Sequence, residues 1–151
     1  TDAGSSKKAY KYAKEFGVSM AMLDKRRDGN NDKAIANSFI GEVKGKKCII
    51  FDDEVDTAGS LMEAVNALNE HGAKEVYAAC THGVLSGPAI ERIKESNLKE
   101  LVITNTIPLV KEKQIDKIKV LDISNLFGQA IARIHRGQGV GELFRDSKMQ
   151  F

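Results

Sequence analysis

Apolar residues along the chain alternate between short continuous runs and helical spacing. Helical spacing, with apolar residues three or four positions apart, predicts helices near residues 5–16, 61–68, 86–93 and 124–134. Short apolar runs predict strands at residues 18–23, 35–43, 48–51, 76–80, 101–104 and 118–123. Because strands and helices follow one another repeatedly, the sequence predicts an α/β domain with a mostly parallel sheet and helices on both faces.

Glycine and serine residues mark the ends of these predicted helices. Gly17 and Gly72 are expected to end the first two, since glycine adopts the left-handed conformation common after a helix. Ser86 and Ser124 are expected to cap the N-termini of the other two with their side-chain oxygens. The domain is expected to cover residues 1–144, and residues 145–151 to form a tail without a clear hydrophobic period.

Composition and charge exclude several classes of protein. The 23 Lys and Arg residues nearly balance the 21 Asp and Glu residues, so the net charge of +2 disfavours a nucleic-acid or anionic-membrane partner. A hydrophobic content of 42% and a charged content of 29% are typical of a soluble globular domain. No apolar run approaches the roughly 20 residues of a membrane span.

The two cysteines and the first residues of the chain bear on its cellular context. Cys48 and Cys80 lie in apolar runs without a CxxC pattern, which disfavours a disulfide framework or a zinc site and favours the cytoplasm. The sequence begins at Thr1 without a charged and apolar secretory signal, and we expect it to be a fragment.

The segment from residue 48 to residue 60 is the most informative. An apolar strand leads into two carboxylates, then into a turn of small and hydroxylated residues at a helix start: Asp52, Asp53, Asp56, Thr57, Ala58, Gly59 and Ser60. Backbone N–H groups at a helix N-terminus bind phosphate, and small side chains let the anion approach. Carboxylates at the end of a strand accept hydrogen bonds from sugar hydroxyls or hold Mg²⁺. A sugar-phosphate site is therefore predicted; the competing interpretation is a simple helix cap.

This segment resembles the ribose-5-phosphate loop of the type I phosphoribosyltransferase fold. Within that fold it is most similar to the ribose-phosphate pyrophosphokinase family, in which Asp-Asp is followed two residues later by Asp-Thr-Ala-Gly. Further segments with the family's pattern lie at residues 2–4, 24–27, 78–89 and 104–108. The resemblance runs from Asp2 to about Phe144 and corresponds to the C-terminal half of the family's chain.

The resemblance implies a transferase of nucleotide biosynthesis that moves the diphosphoryl group of ATP to ribose 5-phosphate, giving phosphoribosyl pyrophosphate. It implies Mg²⁺ as cofactor and a cytoplasmic homo-oligomer. The family's ATP-binding segments belong to the N-terminal half, so the chain by itself is expected to be inactive.

The resemblance also implies a role for individual residues. Lys25 and Arg27 match catalytic positions of a basic loop, although composition alone favours a solvated charge cluster there. Asp2 matches a metal ligand. Asp52 and Asp53 would contact the ribose, and the 5-phosphate would be held by a run of five residues: Asp56, Thr57, Ala58, Gly59 and Ser60.

Two alternative functions stay open. The chain could belong to a phosphoribosyltransferase that attaches a base, although residues 24–27 and 81–88 disfavour it. It could also be a non-catalytic regulatory subunit, which the intact acidic pair and basic loop disfavour.

Glu54 departs from the family's pattern by adding a third acid beside the pair, and Ser5 replaces a second glycine. His82 is expected to make a structural hydrogen bond and Cys80 to lie in the core.

Overall fold

The computed structural model describes residues 6–24 and 38–144 of the chain. Its helices are α1 (Ser6–Phe16), α2 (Gly59–Glu70), α3 (Ala89–Glu95) and α4 (Ser124–His135), with short 3₁₀ helices at Lys111–Lys113 and Val140–Phe144. Its strands are β1 (Met22–Asp24), β2 (Ser38–Ile40), β3 (Lys47–Val55), β4 (Glu75–Gly83), β5 (Leu98–Thr104) and β6 (Ile118–Leu121).

Strands β3 to β6 form one parallel sheet in the order of the sequence. Strands β1 and β2 form a separate antiparallel pair, in which Met22 is opposite Ile40. Since parallel strands need crossover connections, α2 and α3 link successive strands of the larger sheet. The predicted α/β class and mostly parallel sheet are confirmed.

The hydrophobic core lies between this sheet and helices α2 and α3. Alternate residues of β4 point into it, as expected for a strand with one face towards the core. The helices contribute apolar residues at helical spacing. The core includes Leu61, Val65, Val76, Ala78, Cys80, Ala89, Ile93, Leu98, Leu101 and Ile103.

The opposite face of the sheet is only partly covered. Phe51 of β3 contacts α1 through the rings of Tyr12 and Phe16, with centroid distances of 4.7 and 6.2 Å. Within the described part of the chain, no α4 side chain is buried. Four apolar α4 residues are between 42% and 65% exposed: Leu126, Phe127, Ile131 and Ile134. None of the helices in residues 6–24 and 38–144 is long and apolar enough to cross a membrane.

The predicted helix ends were only half right. Gly17 and Gly72 follow α1 and α2 with φ angles of +65° and +81°, as expected for helix ends. Ser86 does not cap α3, which begins after Pro88, because its hydroxyl donates to Asp56 instead. Ser124 is the first residue of α4 rather than its cap, and its N–H donates to Asp122.

The structure also lengthens the strands predicted at residues 48–51 and 76–80, which become β3 and β4. Parallel pairing continues from Lys47 opposite Glu75 to Val55 opposite Gly83. Asp52 and Glu54 are therefore inside β3, where they pair with residues of β4, rather than after its end. Main-chain pairing extends the strand beyond its apolar run because ladder hydrogen bonds do not depend on side-chain polarity.

Candidate functional site

Polar side chains from all four parallel strands gather at the carboxyl edge of the sheet. They come from the acidic end of β3, the end of β4, the segment after β5 and the segment after β6. Open α/β sheets bind ligands at this edge. The residues concerned are Asp52, Asp53, Glu54, Thr81, His82, Thr104, Asn105, Thr106, Asp122 and Ser124.

The acidic pair is exposed at the end of β3. Asp52 Oδ1 accepts a hydrogen bond from the backbone N–H of Asp53 at 2.8 Å. Both side chains, and that of Glu54, are accessible to solvent. Exposed carboxylates can accept hydrogen bonds from hydroxyl groups or bind a cation.

The loop of residues 56–60, which we call the phosphate loop, joins β3 to α2. Ala58 is in the left-handed conformation, with φ +61° and ψ +13°, and its side chain is buried. Left-handed residues in turns bring successive backbone N–H groups together into an anion-binding concavity. The positive end of the α2 dipole, which begins at Gly59, adds to the attraction for an anion.

The phosphate loop is held in place by the segment that follows β4. The Leu85 N–H donates to the Val55 carbonyl at 3.0 Å, and the Ser86 N–H donates to the Asp56 carbonyl at 3.1 Å. The Ser86 hydroxyl also donates to the Asp56 carboxylate. Leu85 has a left-handed φ of +53° that is costly outside glycine, and its side chain is 1% exposed. Its burial in the core stabilises this strained turn.

A second contact to the loop comes from α3. Arg92 Nη1 donates to the Thr57 carbonyl at 2.9 Å. No pattern in the sequence points to Arg92, and the local pattern at Ser86 predicts a helix cap. Short-range patterns carried no sign of these contacts, because they join residues 30 and 35 positions apart.

The atoms around Gly59 leave room for a Cβ. An added Cβ would lie 3.5 Å from Arg92 Nη1 and 3.8 Å from Thr57 Oγ1, which are ordinary contact distances. By contrast, a Cβ at Gly83 would lie 2.8 Å from Ile103 Cδ1. Packing within the chain therefore requires glycine at position 83, and does not require it at position 59.

A threonine cluster links β4 to the segment after β5. The hydroxyls of Thr104 and Thr106 donate to the Thr81 carbonyl at 2.7 and 2.9 Å. His82 Nδ1 lies 2.9 Å from Thr106 Oγ1. This contact agrees with the prediction of a structural hydrogen bond for His82.

Asp122 is held by its neighbours at the end of β6. It accepts hydrogen bonds from the Ser124 hydroxyl at 2.5 Å, the Ser124 N–H at 2.8 Å and Asn105 Nδ2 at 2.7 Å. These bonds favour the ionised form and lower the pKa of Asp122, and the bond from the Ser124 hydroxyl has the largest effect. Asp122 therefore acts as an anionic link between the last two strands.

Both cysteines have unreactive environments. Burial, and secondarily the negative charge of Asp52, raises the pKa of Cys80 from the usual 9.0 to about 11. Burial also raises the pKa of Cys48. Because the thiolate is the nucleophile, a raised pKa disfavours a catalytic role for Cys80. Cys80 is buried in the core, as the sequence predicted.

Three predicted site residues cannot be placed on this edge. Asp2, Lys25 and Arg27 lie outside the described residues. Within residues 6–24 and 38–144, no group of three or more His, Cys, Asp or Glu side chains is arranged to hold a metal ion. The acidic pair and the phosphate loop are the predicted site residues that the structure brings together.

Comparison with known proteins decides the family. Residues 32–145 match the family described as "Phosphoribosyl synthetase-associated domain". The chain belongs to this family. It is 55% identical over 143 residues to a ribose-phosphate pyrophosphokinase from Caldanaerobacter subterraneus subsp. tengcongensis, and 51% identical over 145 residues to one from Clostridium acetobutylicum. The matches cover 95% and 96% of this chain but 45% of each relative.

A solved structure agrees with the family assignment. The crystal structure of phosphoribosylpyrophosphate synthetase from Mycobacterium smegmatis matches 90% of this chain and 43% of its own, with a TM-score of 0.82 and 39% identity. The predicted type I phosphoribosyltransferase fold is confirmed by this likeness. The chain thus spans less than half the length of the relatives it matches.

Proposed function

We propose that this chain is the C-terminal, ribose-5-phosphate-binding half of a ribose-phosphate pyrophosphokinase. The complete enzyme would transfer the β,γ-diphosphoryl group of ATP to the 1-hydroxyl of ribose 5-phosphate, releasing AMP. The observation that carries this proposal is the phosphate loop held beside the exposed carboxylates of Asp52 and Asp53. Identities of about 50% to proteins of that name favour this function over a base-attaching phosphoribosyltransferase.

The sugar phosphate would lie across the carboxyl edge of the sheet. Its 5-phosphate would accept hydrogen bonds from the backbone N–H groups and hydroxyls of the phosphate loop, including those of Thr57 and Ser60. Its ribose hydroxyls would donate to Asp52 and Asp53, directly or through a cation. Positioning of this kind supplies much of the rate enhancement in phosphoryl-type transfer.

Mg²⁺ is the cation that this donor set fits. Mg²⁺ prefers carboxylate oxygens and binds through one or two of them together with water and substrate phosphates. An exposed pair of carboxylates suits this mode of binding. Asp52 and Asp53 would hold the ion, and Asp2 would be a further ligand. When bound, it would neutralise charge on the diphosphoryl group.

Lys25 and Arg27 would act on the group that is transferred. They follow β1 directly, and the pairing of Asp24 with Ser38 joins the two ends of the segment in which they lie. Their positive charges would stabilise the charge that develops on the diphosphoryl group.

The remaining half of the parent protein would supply most of the ATP site. The apolar residues exposed on α4 and on the open face of the sheet offer it a surface to pack against. We expect the complete protein to be a cytoplasmic homo-oligomer of nucleotide biosynthesis, as the family resemblance implies.

The test is made on the full-length protein with ATP, Mg²⁺ and ribose 5-phosphate, following AMP and phosphoribosyl pyrophosphate. Asp52→Asn and Asp53→Asn should each lower turnover at least tenfold, because each removes a carboxylate from the reacting sugar. Asp116→Asn is the matched control, since Asp116 is exposed and lies before β6, at the opposite edge of the sheet. Normal activity of both Asp52→Asn and Asp53→Asn, or no activity of the wild type, would contradict the proposal.

A further inference from the structure

Arg92 connects α3 to the phosphate loop. Its guanidinium donates through Nη1 to the Thr57 carbonyl at 2.9 Å, across a separation of 35 residues. The same nitrogen would lie 3.5 Å from a Cβ placed on Gly59. The positive charge is therefore beside the middle of the loop and behind one of its peptide groups.

The geometry of the peptide bond shows what this contact does. The carbonyl of Thr57 and the N–H of Ala58 belong to one planar, trans peptide group, so they point in opposite directions. A donor that holds the carbonyl from the α3 side turns the N–H of Ala58 away from α3. Hydrogen bonding to the carbonyl also polarises the peptide group and strengthens its N–H as a donor.

The left-handed conformation of Ala58 makes such support necessary. A φ of +61° is energetically unfavourable for a residue other than glycine. Without an external contact, the preceding peptide group would be free to rotate towards a less strained arrangement. The charge-assisted bond from Arg92 opposes that rotation before any ligand arrives.

Helix α3 is anchored independently of this contact. Lys117 Nζ donates to the carbonyls of Ile93, Lys94 and Ser96 at the C-terminal end of the helix, at 3.2, 2.9 and 2.6 Å. The helix also buries Ala89 and Ile93 completely in the core. Arg92 thus extends from a fixed helix, and Lys117 holds that helix without contacting the phosphate loop.

We propose that Arg92 is a positioning residue, which presets the Ala58 N–H for the phosphate of the sugar by holding the Thr57 carbonyl. This rests on the proposed function, and it adds a residue from outside the loop. The phosphate is recognised by the loop, while the guanidinium fixes the loop in its binding conformation.

The test compares Arg92→Ala, Arg92→Lys and Lys117→Ala in the full-length enzyme. Arg92→Ala should raise the KM for ribose 5-phosphate about tenfold, leave the KM for ATP unchanged and lower kcat less than threefold. Arg92→Lys keeps a charged donor, so its KM for ribose 5-phosphate should be at most about threefold above that of the wild type. Lys117→Ala should lower the melting temperature and leave both KM values unchanged.

The outcomes separate this proposal from the proposed function. A wild-type enzyme that does not use ribose 5-phosphate would contradict the function itself. With an active wild type, an unchanged KM for ribose 5-phosphate in Arg92→Ala would overturn the positioning role. So would an equal rise in KM in Lys117→Ala, since the effect would then follow general stability. If Arg92→Ala does not fold, Arg92→Gln takes its place, and an unchanged KM in that variant overturns the proposal equally.

Discussion

Ser86 forms two hydrogen bonds with Asp56, which precedes it by 30 residues. The hydroxyl donates to the Asp56 carboxylate, and the backbone N–H donates to the Asp56 carbonyl at 3.1 Å. The first residue of the phosphate loop is therefore fixed in both its side chain and its backbone. The turn after β4 sets the geometry of the loop after β3.

Replacing Ser86 by alanine should weaken binding of ribose 5-phosphate. The backbone bond would remain, but the Asp56 carboxylate would lose its donor and its fixed direction. We expect a three- to tenfold higher Kd, about the net effect of one ordinary hydrogen bond, since the loss reaches the ligand only through the loop. Titration calorimetry with ribose 5-phosphate measures it. Ser86→Thr, which keeps the hydroxyl, should bind within about twofold of the wild type. Equal affinity of the alanine variant would show that the bond does not matter for the site.

Ribose 5-phosphate should stabilise this chain thermally, and ribose should not. A ligand that binds the folded state raises the melting temperature, and most of the affinity is expected from the phosphate. Differential scanning fluorimetry with each sugar at equal concentration makes the comparison. Equal shifts with both sugars would contradict the assignment of residues 56–60 to the phosphate.

Gly59→Val should abolish that stabilisation while the fold is kept. A Cβ at Gly59 would make only ordinary contacts, at 3.5 Å from Arg92 Nη1 and 3.8 Å from Thr57 Oγ1, so the fold should tolerate it. The valine side chain should hinder the approach of the anion to the loop backbone. Gly83→Ala is the contrasting variant, because its Cβ would lie 2.8 Å from Ile103 Cδ1 and should lower the free energy of unfolding. Thermal scans of both variants with and without ribose 5-phosphate measure the two effects. A Gly59→Val protein that retains the full thermal shift would place the phosphate elsewhere.

The turn of residues 56–60 between a strand and a helix could be predicted from sequence because its residues are neighbours in the chain. Asp56 to Ser60 carry their chemistry in a run of five positions, and the sheet they follow has a clear apolar pattern. The sequence predicts a helix cap at Ser86, because serine two residues before proline suits that role locally. Its true partner depends on how β4 is paired with β3, a relationship between distant residues. The contact of Arg92 with Thr57 was hidden for the same reason.

Stability at high pH should depend on Cys80. Its pKa of about 11 in the folded state exceeds the usual 9.0, so the folded protein keeps the proton that the unfolded chain loses first. The stabilisation is complete below pH 9 and is lost as the pH rises towards 11. It amounts to at most about 3 kcal/mol.

Urea unfolding of the wild type and of Cys80→Ala between pH 8 and 11 isolates this effect, because other groups titrate in both proteins. The difference in the free energy of unfolding should shrink as the pH rises. Asp52→Asn should make this decline smaller and end it at a lower pH, since the Asp52 charge contributes to the raised pKa of Cys80 in the folded state. Parallel curves for wild type and Cys80→Ala would contradict the assignment.

In the full-length enzyme, Lys25→Ala and Arg27→Ala should lower kcat more than they weaken binding of ribose 5-phosphate. Their charges are expected to act on the diphosphoryl group in the transition state, and to contribute little to the bound sugar. Steady-state kinetics beside direct binding of ribose 5-phosphate separates the two effects. Near-normal turnover of both variants would restore the interpretation of a solvated basic loop.

The 151-residue chain by itself should bind ribose 5-phosphate and yet fail to transfer the diphosphoryl group of ATP. It contains the phosphate loop and the acidic pair, whereas no segment of it has been assigned to adenine recognition. Lys25 and Arg27 can stabilise the transition state only when both substrates are held in line, because positioning supplies a large part of such a rate enhancement. The measurement is an assay for AMP and phosphoribosyl pyrophosphate with purified chain, Mg²⁺, ATP and ribose 5-phosphate. Activity that appears only after adding the rest of a full-length relative would support a site shared between two halves. Turnover of the chain alone at the rate of a full-length relative would show that the nucleotide site lies within these residues.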